Sequence, residues 1–323
     1  HIMAKKTILI TGANGEVGQG LVNKLKENKN NTIIAVDLSD DIYKSKIDNF
    51  ITGSILDKNL MKNVFKEYHI DIIYHLAAIL STKAEKNKTL AYDVNVNGTK
   101  YLIDKAVNQK HNITFFFPSS IAVYNILQGN NHGPIKEDDI FISPTTIYGE
   151  TKLESEQYGI KNSSQQFDFR CIRFPGIISA TSIPTGGTSD YAPEMIHCAA
   201  QNKEYNCFVN SETKIPFMVM PDAIKGILTL MKAPKEYLNN IIYNISSFNP
   251  SAADFYFETK KYYANFKLHY EVNTLRQNIV NSWPNNIDDS AARKDWSWSP
   301  DFDLTTAYKK YLIPTINDYY KGQ

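Results

Sequence analysis

Between a short apolar run, Thr7–Thr11, and a stretch with helical spacing, Gly18–Lys26, the chain reads Thr11-Gly12-Ala13-Asn14-Gly15-Glu16-Val17-Gly18. Three glycines at that spacing, with a strand before and a helix after, restrict what the segment can become. Gly12 lets the chain turn sharply, Gly15 leaves room for phosphate oxygens at the backbone, and Gly18 lets helix and strand pack closely. The helix start then offers unsatisfied N–H groups and a positive dipole end to an anion. A glycine triplet alone is a weak signal, because loops use glycine freely. Its weight comes from Asp37, which closes a second buried-type strand, Thr32–Asp37, 19 residues after Gly18. A carboxylate there accepts hydrogen bonds from ribose hydroxyls and repels a 2′-phosphate. Leu38-Ser39-Asp40-Asp41 adds further acid and no arginine. The segment reads as a dinucleotide site that prefers NAD to NADP, against the plainer reading of Asp37 as a solvated strand end.

Strand-like and helix-like stretches go on alternating. Asp71–Ala78 and Ile113–Pro118 have strand character, and Leu60–Tyr68 and Leu90–Gln109 have helical character. That alternation predicts an α/β fold, a Rossmann doubly wound parallel sheet covered by helices, with a smaller α/β substrate-binding lobe. After about Pro175 the pattern loosens into Gly/Thr/Ser/Pro-rich segments, with strand candidates at Phe217–Met220 and Ile241–Ile245. The expected division is an NAD-binding domain over 3–176, to which segments near 214–246 return. The lobe takes 177–213 and 247–315, over the carboxyl ends of the strands, where open α/β sheets bind ligands.

Composition excludes several function classes. The formal net charge of the 323-residue chain is +1, which gives no electrostatic case for nucleic acid. There is no apolar stretch long enough to span a bilayer and no signal-peptide pattern. His1 and Ile2 precede Met3 and read as a cloning remnant. Cys171, Cys198 and Cys207 have neither metal-ligand spacing nor a disulfide framework. The seven histidines are dispersed, and His75 sits in an apolar strand end, so packing is favoured over metal binding. The expectation is a reduced, cytoplasmic protein with no metal, no nucleic-acid partner and no membrane partner.

Tyr148-Gly149-Glu150-Thr151-Lys152 begins another helical run, and a spacing of four places both side chains on one face. A tyrosine with a free pKa of about 10 is a poor base at neutral pH. A neighbouring ammonium favours the phenolate, so the pair is expected to lower the tyrosine pKa and exchange a proton with a substrate alcohol. Such a pair is common by chance in a chain with 20 tyrosines. Ser119-Ser120, ending the strand upstream, changes the weighing. Ser120 can hydrogen-bond the reacting oxygen or cap its strand, and Asn95 can hold the catalytic helix, serve a water relay or simply face solvent.

These residues resemble the extended short-chain dehydrogenase/reductase family: Gly-x-x-Gly-x-x-Gly, His75-Leu76-Ala77-Ala78, Asn95, Ser120 and Tyr148-x-x-x-Lys152. Within it, several stretches are similar to the short-chain type of L-threonine 3-dehydrogenases. They are His75–Ser81, Pro118–Val123, Arg173–Ser179, Gly186–Ala192, and Trp283-Pro284 with Asp288–Trp296. The resemblance runs nearly end to end. It implies oxidation of the threonine 3-hydroxyl to 2-amino-3-oxobutanoate, with Ser120, Tyr148 and Lys152 catalytic. It implies NAD held by Gly12, Asn14, Gly15, Glu16, Val17 and Gly18, by Asp37 and Leu38, and by Ser54 and Ile55. Leu76, Ala77, Ala78, Asn95, Tyr148, Lys152, Pro175 and Ile177 complete that cofactor set. Ser81, Ser120, Tyr148, Thr188 and Asp190 would meet an amino-acid substrate, and the protein would be a homodimer through the helices carrying Asn95 and Tyr148. Ser54 stands where the family usually has an acidic residue near adenine. Asn125 replaces a glycine, an insertion follows at Leu127–Gly133, and Ser189 and Pro193 replace threonine and valine.

A zwitterionic amino acid needs an acceptor for its ammonium and donors for its carboxylate. Thr188-Ser189-Asp190, after two glycines, offers two hydroxyls and an acid, although a turn with an aspartate cap reads the same way. The competing function is a nucleotide-sugar 4-epimerase or dehydratase, which must bind a pyrophosphate, a task suited to arginine. Only Arg170, Arg173, Arg276 and Arg293 occur, none between Phe174 and Leu275, which weakens that alternative. A cofactor-sensing regulator would need only the cofactor half, whereas Ser120, Tyr148 and Lys152 are all present. Trp283, Trp296 and Trp298 read as packing aromatics.

Overall fold

The computed structural model describes residues 4–42, 47, 49–126, 133–139 and 141–323. The insertion at Leu127–Gly133 lies outside them except for Gly133, and so do His1–Met3. The chain divides into two compact units, one built from His1–Ser120, Ile147–Arg173 and Ile227–Ile242, the other from Ile121–Thr146, Phe174–Gly226 and Tyr243–Gln323.

The first unit is organised by strands β1 (Lys6–Thr11), β2 (Asn31–Asp37), β3 (Asn49–Thr52), β4 (Ile72–His75), β5 (Ile113–Ser120) and β6 (Phe167–Phe174). With the strand Ile242–Asn244 beyond β6, they form a seven-stranded sheet in the order Ile242–Asn244, β6, β5, β4, β1, β2, β3. β1 pairs in parallel with both β2 and β4, β2 with β3, and β4 with β5. This is the doubly wound parallel α/β fold expected from the sequence. The order reverses at β1 and β4, where such sheets open a crevice at their carboxyl ends.

The helices follow from composition and caps. α1 (Glu16–Leu25) starts at Gly15, which has no side chain to cap it. α2 (Lys58–Glu67) starts at Asp57, whose carboxylate accepts the Leu60 N–H at 3.0 Å. α3 (Ser81–Lys86) precedes α4 (Lys88–Tyr92), which runs through a wide π-type turn, Asp93–Gly98, into α5 (Thr99–Val107). α6 (Ile147–Asn162) opens where the Ile147 N–H meets the Glu85 carboxylate at 2.7 Å. Leu9, Ile34 and Val36 pack with Phe115, Phe117 and Phe169 in one fully buried cluster.

Two strand expectations change. The predicted strand Asp71–Ala78 ends at His75. Its partner β1 turns away at Gly12, so Leu76 makes a last backbone bond to Thr11 O and the chain leaves the sheet. The predicted strand Phe217–Met220 exists as Phe217–Val219 but pairs with Gly176–Ile178 in a separate two-stranded ribbon. The second unit also pairs Tyr205–Cys207 with Leu268–Tyr270. Its helices include α7 (Tyr191–Ala200), the first half of α8 (Met220–Lys232), α9 (Ala252–Tyr262) and α10 (Thr274–Ser282). Among the described residues no helix is long and apolar enough to cross a membrane, and no His/Cys/Asp/Glu group could hold a metal.

Candidate active site

Thr11, Asp37, His75 and Ser120 each end a strand of the large sheet, so the chemistry-bearing residues gather at its carboxyl edge. Gly12 has φ +68°, and a Cβ there would lie 2.6 Å from the Ala77 nitrogen. The loop and the exit of β4 therefore touch backbone to backbone. A Cβ at Gly18 would lie 2.6 Å from Ala13 O, so α1 rises directly off the turn. Gly15 differs: its Cβ would meet only Gly12 O at 3.4 Å, an ordinary contact. The missing side chain there leaves open space in front of the first turn of α1. Asp37 binds the loop with one carboxylate oxygen, which accepts the Asn14 N–H at 2.8 Å, while the other accepts the N–H of the following residue, Leu38, at 2.7 Å. Ser54 lies beyond β3 in a turn, its hydroxyl accepting the Leu56 N–H at 3.1 Å, and Ile55 is buried beside it.

The Tyr148 hydroxyl is hydrogen-bonded to Ser120. Lys152, 5% exposed, donates from Nζ to Pro118 O at 2.6 Å. Its ammonium lies 4.9 Å from the Phe117 ring centroid and 5.4 Å from that of Tyr148. Desolvation pushes the Tyr148 hydroxyl up to about 12, opposed by its Ser120 bond. Burial pushes the lysine down to about 8. The site does not show the expected depression of the tyrosine: desolvation raises it, and what opposes that rise is the Ser120 bond. What the arrangement offers is a lysine close to neutral titration beside a hydrogen-bonded phenol.

Asn95, 4% exposed, sits in the π-type turn and acts as a hub. Its side chain accepts the Ile79 N–H at 2.7 Å and donates to Ile79 O at 3.0 Å and to Thr151 Oγ1 at 3.2 Å. Its main-chain oxygen accepts hydroxyls from Thr99 at 2.7 Å and Ser155 at 2.9 Å. Ser155 is one turn beyond Thr151 on α6, so the Asn95 turn is bonded to that helix at two successive turns. These bonds tie the Asn95 turn to α6 and to the segment that follows β4.

His75 links this hub to the glycine loop. Thr99 Oγ1 spends its proton on Asn95 O, so it accepts from His75 Nε2 at 2.7 Å. Nδ1 must then accept from Thr11 Oγ1 at 2.7 Å, while that oxygen accepts the Leu76 and Ala77 N–H groups at 3.2 and 3.3 Å. Burial, with Lys152 nearby, pushes the imidazole down to about 3, so it stays neutral. Packing over metal binding was the expectation, and these bonds give the ring a structural role.

In the second unit, Pro175 precedes the ribbon strand containing Ile177, and both adjoin the close contact of Gly176 with the Phe217 ring. Thr188 and Asp190 lie in the loop before α7, where Asp190 Oδ2 accepts the Gly187 N–H at 2.7 Å. That bond is the geometry of a turn cap. Pro193 falls in the first turn of α7, where its missing N–H is not needed. Asn125 is not among the residues with positive φ, so its backbone does not require the glycine it replaces.

A profile of the NAD dependent epimerase/dehydratase family matches residues 8–246. The mitochondrial L-threonine 3-dehydrogenase of Sus scrofa is 36% identical over 306 residues, covering 92% of this chain and 79% of that protein. The structure of a monomeric L-threonine 3-dehydrogenase from a metagenome is 38% identical, with TM-score 0.86 over 97% of this chain and 99% of the other. That of L-threonine dehydrogenase from Clostridium difficile is 34% identical, with TM-score 0.88 over 98% and 99%. The chain belongs to the NAD-dependent epimerase/dehydratase family. As a member of that family it is an NAD-dependent enzyme, and its loop fits the cofactor: the open space at Gly15 suits a pyrophosphate at the start of α1, and Asp37 keeps acceptor capacity on both oxygens.

Sequence reasoning missed several residues of this enzyme's scaffold. Thr11, Thr99, Thr151 and Ser155 carry the hydrogen bonds that join the loop, Asn95 and α6, yet a lone threonine or serine carries no motif. All four arginines are engaged within the chain. Arg170 donates to Leu230 O, Ala233 O and Asp168, and Arg173 pairs with buried Glu156 at 2.7 Å. Arg276 donates to Gly186 O and Gly187 O, and Arg293 to Asp289.

Proposed function

We propose that this enzyme oxidises L-threonine at C3 to 2-amino-3-oxobutanoate, with Tyr148 as the base. The observation that carries the chemistry is Tyr148 hydrogen-bonded to Ser120 beside the buried ammonium of Lys152. In this reading Ser120 orients the reacting hydroxyl and Tyr148 takes its proton. Lys152, in the neutral form it reaches near pH 8, takes the phenol's own proton as Tyr148 accepts that of the substrate, so one proton is passed along the pair. NAD supplies the hydride acceptor when bound, with Gly12, Asn14, Gly15, Glu16, Val17 and Gly18 at its phosphates and Asp37 and Leu38 at its ribose. Ser54 and Ile55 flank the adenine, Leu76, Ala77, Ala78 and Asn95 line the next stretch, and Pro175 and Ile177 lie against the nicotinamide. Ser81, Thr188 and Asp190 take the amino acid, Asp190 meeting the ammonium with the capacity left beyond the Gly187 bond.

Two points favour threonine over a nucleotide sugar. Similarity to L-threonine 3-dehydrogenases extends over more than nine-tenths of the chain and so includes the lobe assigned to the substrate. The four arginines that could have served a second pyrophosphate already have acceptors within the chain. The reading carries two further assignments, a homodimer through the helices bearing Asn95 and Tyr148 and a cytoplasmic location, the second supported by three free thiols that suit a reducing compartment. The deciding experiment follows NAD reduction on adding threonine or serine and, in parallel, conversion of UDP-galactose to its 4-epimer or dehydrated product. Threonine-dependent reduction is expected; activity on UDP-galactose with silence on threonine removes the substrate assignment.

A further inference from the structure

The loop assigned to the substrate is short of side chains that could order it, since it opens with Gly186 and Gly187. Gly186 has φ +86°, and a Cβ there would meet nothing within 4 Å, so glycine serves the backbone conformation and not a tight fit. Left to itself such a segment samples many conformations. An arginine from a distant part of the sequence restrains it. Arg276 Nη2 donates to Gly187 O at 2.7 Å and to Gly186 O at 3.2 Å. Gly187 O also accepts the Asp190 N–H at 3.1 Å, and Gly187 N–H donates to the Asp190 carboxylate. The guanidinium thus closes a small ring of bonds whose members flank Thr188 and include Asp190.

The arginine is itself held firmly. Its guanidinium carbon lies 3.3 Å from the centroid of the Phe208 ring, a stacked cation–π contact. Asn273 caps α10 by accepting the Arg276 N–H at 3.1 Å, and its own N–H donates to Phe208 O at 2.9 Å. The next residue, buried Gln277, accepts the Asn210 N–H at 2.8 Å and donates to Thr213 Oγ1 at 3.0 Å. Phe208 also meets Tyr191, the first residue of α7 after Asp190, ring edge to face at 5.8 Å. One aromatic ring therefore supports the guanidinium and the residue that leaves the loop.

We propose that Arg276 is a positioning residue for the substrate, locking Gly186–Asp190 so that Thr188 and Asp190 are ready for an amino acid without an ordering cost at binding. The inference rests on the threonine reading given above for which ligand the loop takes. Lysine is a poor substitute, because it has no planar face to stack on Phe208 and no fixed fork of donors.

The test compares wild type with Arg276→Met and Arg276→Lys. Four quantities are measured: kcat and KM for threonine and amide hydrogen exchange in a peptide spanning residues 182–192, all at saturating NAD, and the Kd of NAD in a separate titration. In Arg276→Met, KM should rise on the order of tenfold or more with kcat less affected, NAD affinity unchanged and exchange in the peptide faster. Arg276→Lys should recover only part of both effects. A merely structural arginine would lower the folded fraction or the melting temperature while leaving KM of the folded enzyme alone. Unchanged KM with unchanged exchange overturns the proposal, and so does full recovery by lysine. If wild type itself ignores threonine, the substrate reading falls. The exchange comparison still decides the loop claim: faster exchange in Arg276→Met supports it and equal exchange overturns it.

Discussion

Tyr148 gives the sharpest residue-level outcome. Tyr148→Phe removes the hydroxyl bonded to Ser120 while keeping the ring near Lys152. Threonine-dependent NAD reduction should drop by about 10²–10⁴-fold with NAD affinity kept; near-normal turnover would end the proton-acceptor role. His75 makes a different kind of prediction, about stability. Its folded pKa, about 3, lies below the unfolded value of 6.5, so between those values the unfolded chain binds the extra proton. The stability that neutral His75 contributes is complete above pH 6.5. It is lost as pH falls toward 3, at about 1.4 kcal/mol per pH unit. Lys152 is the charged neighbour that reinforces the depression. His75→Gln should be weaker at pH 7, having broken the Thr11–Thr99 chain, yet lose stability less steeply below pH 6. Urea midpoints between pH 7 and pH 4 check this, and parallel slopes for the two proteins would contradict it.

Elements were legible where one residue type has one physical use. β1, Gly12, α1 and Asp37 could be read because a positive φ and close backbone contacts admit only glycine. β6 was not read as a strand: Asp168, Arg170 and Arg173 interrupt its apolar pattern, and their partners Glu156, Leu230 O and Ala233 O are remote in sequence. The π-type turn around Asn95 was equally invisible, since one extra residue in a helical turn leaves little trace in periodicity. Tyr148 and Lys152 could be singled out by spacing and Ser120 by its place at a strand end, but the titration of the lysine could not be read, because its burial depends on Phe117 and the β5 backbone. The glycine loop separates two roles that a motif merges. Gly18→Ala forces a Cβ against Ala13 O and should cost several kcal/mol. Gly15→Ala, at φ −63° with no contact under 3.4 Å, should change stability by less than about 1 kcal/mol while weakening NAD binding. Thermal melts and NAD titrations of both variants check the contrast; equal losses of stability would show that Gly15 is structural too.

At the scale of the whole molecule, the helix leading to Asn95 exposes Leu90 and Tyr92, each 42%, beside Glu154 of α6, which bonds Tyr92 and pairs with Lys100. If that face joins two copies, sedimentation velocity should find a two-chain species that Leu90→Lys with Tyr92→Lys dissociates. Wild type sedimenting with the mass of one chain removes the homodimer. The chain's path between its two units has a separate consequence. It crosses from one unit to the other at residues 120–121, 146–147, 173–174, 226–227 and 242–243. Neither unit is a contiguous stretch, so neither can be expressed alone by simple truncation. A ribosome making this protein has released β6, seven of whose eight residues are buried, well before the strand Ile242–Asn244 that lies beside it in the sheet. For that interval the nascent sheet ends in an apolar, unpaired edge, the kind of surface that recruits chaperones or aggregates. The growing chain is most vulnerable between the synthesis of residue 174 and that of residue 244.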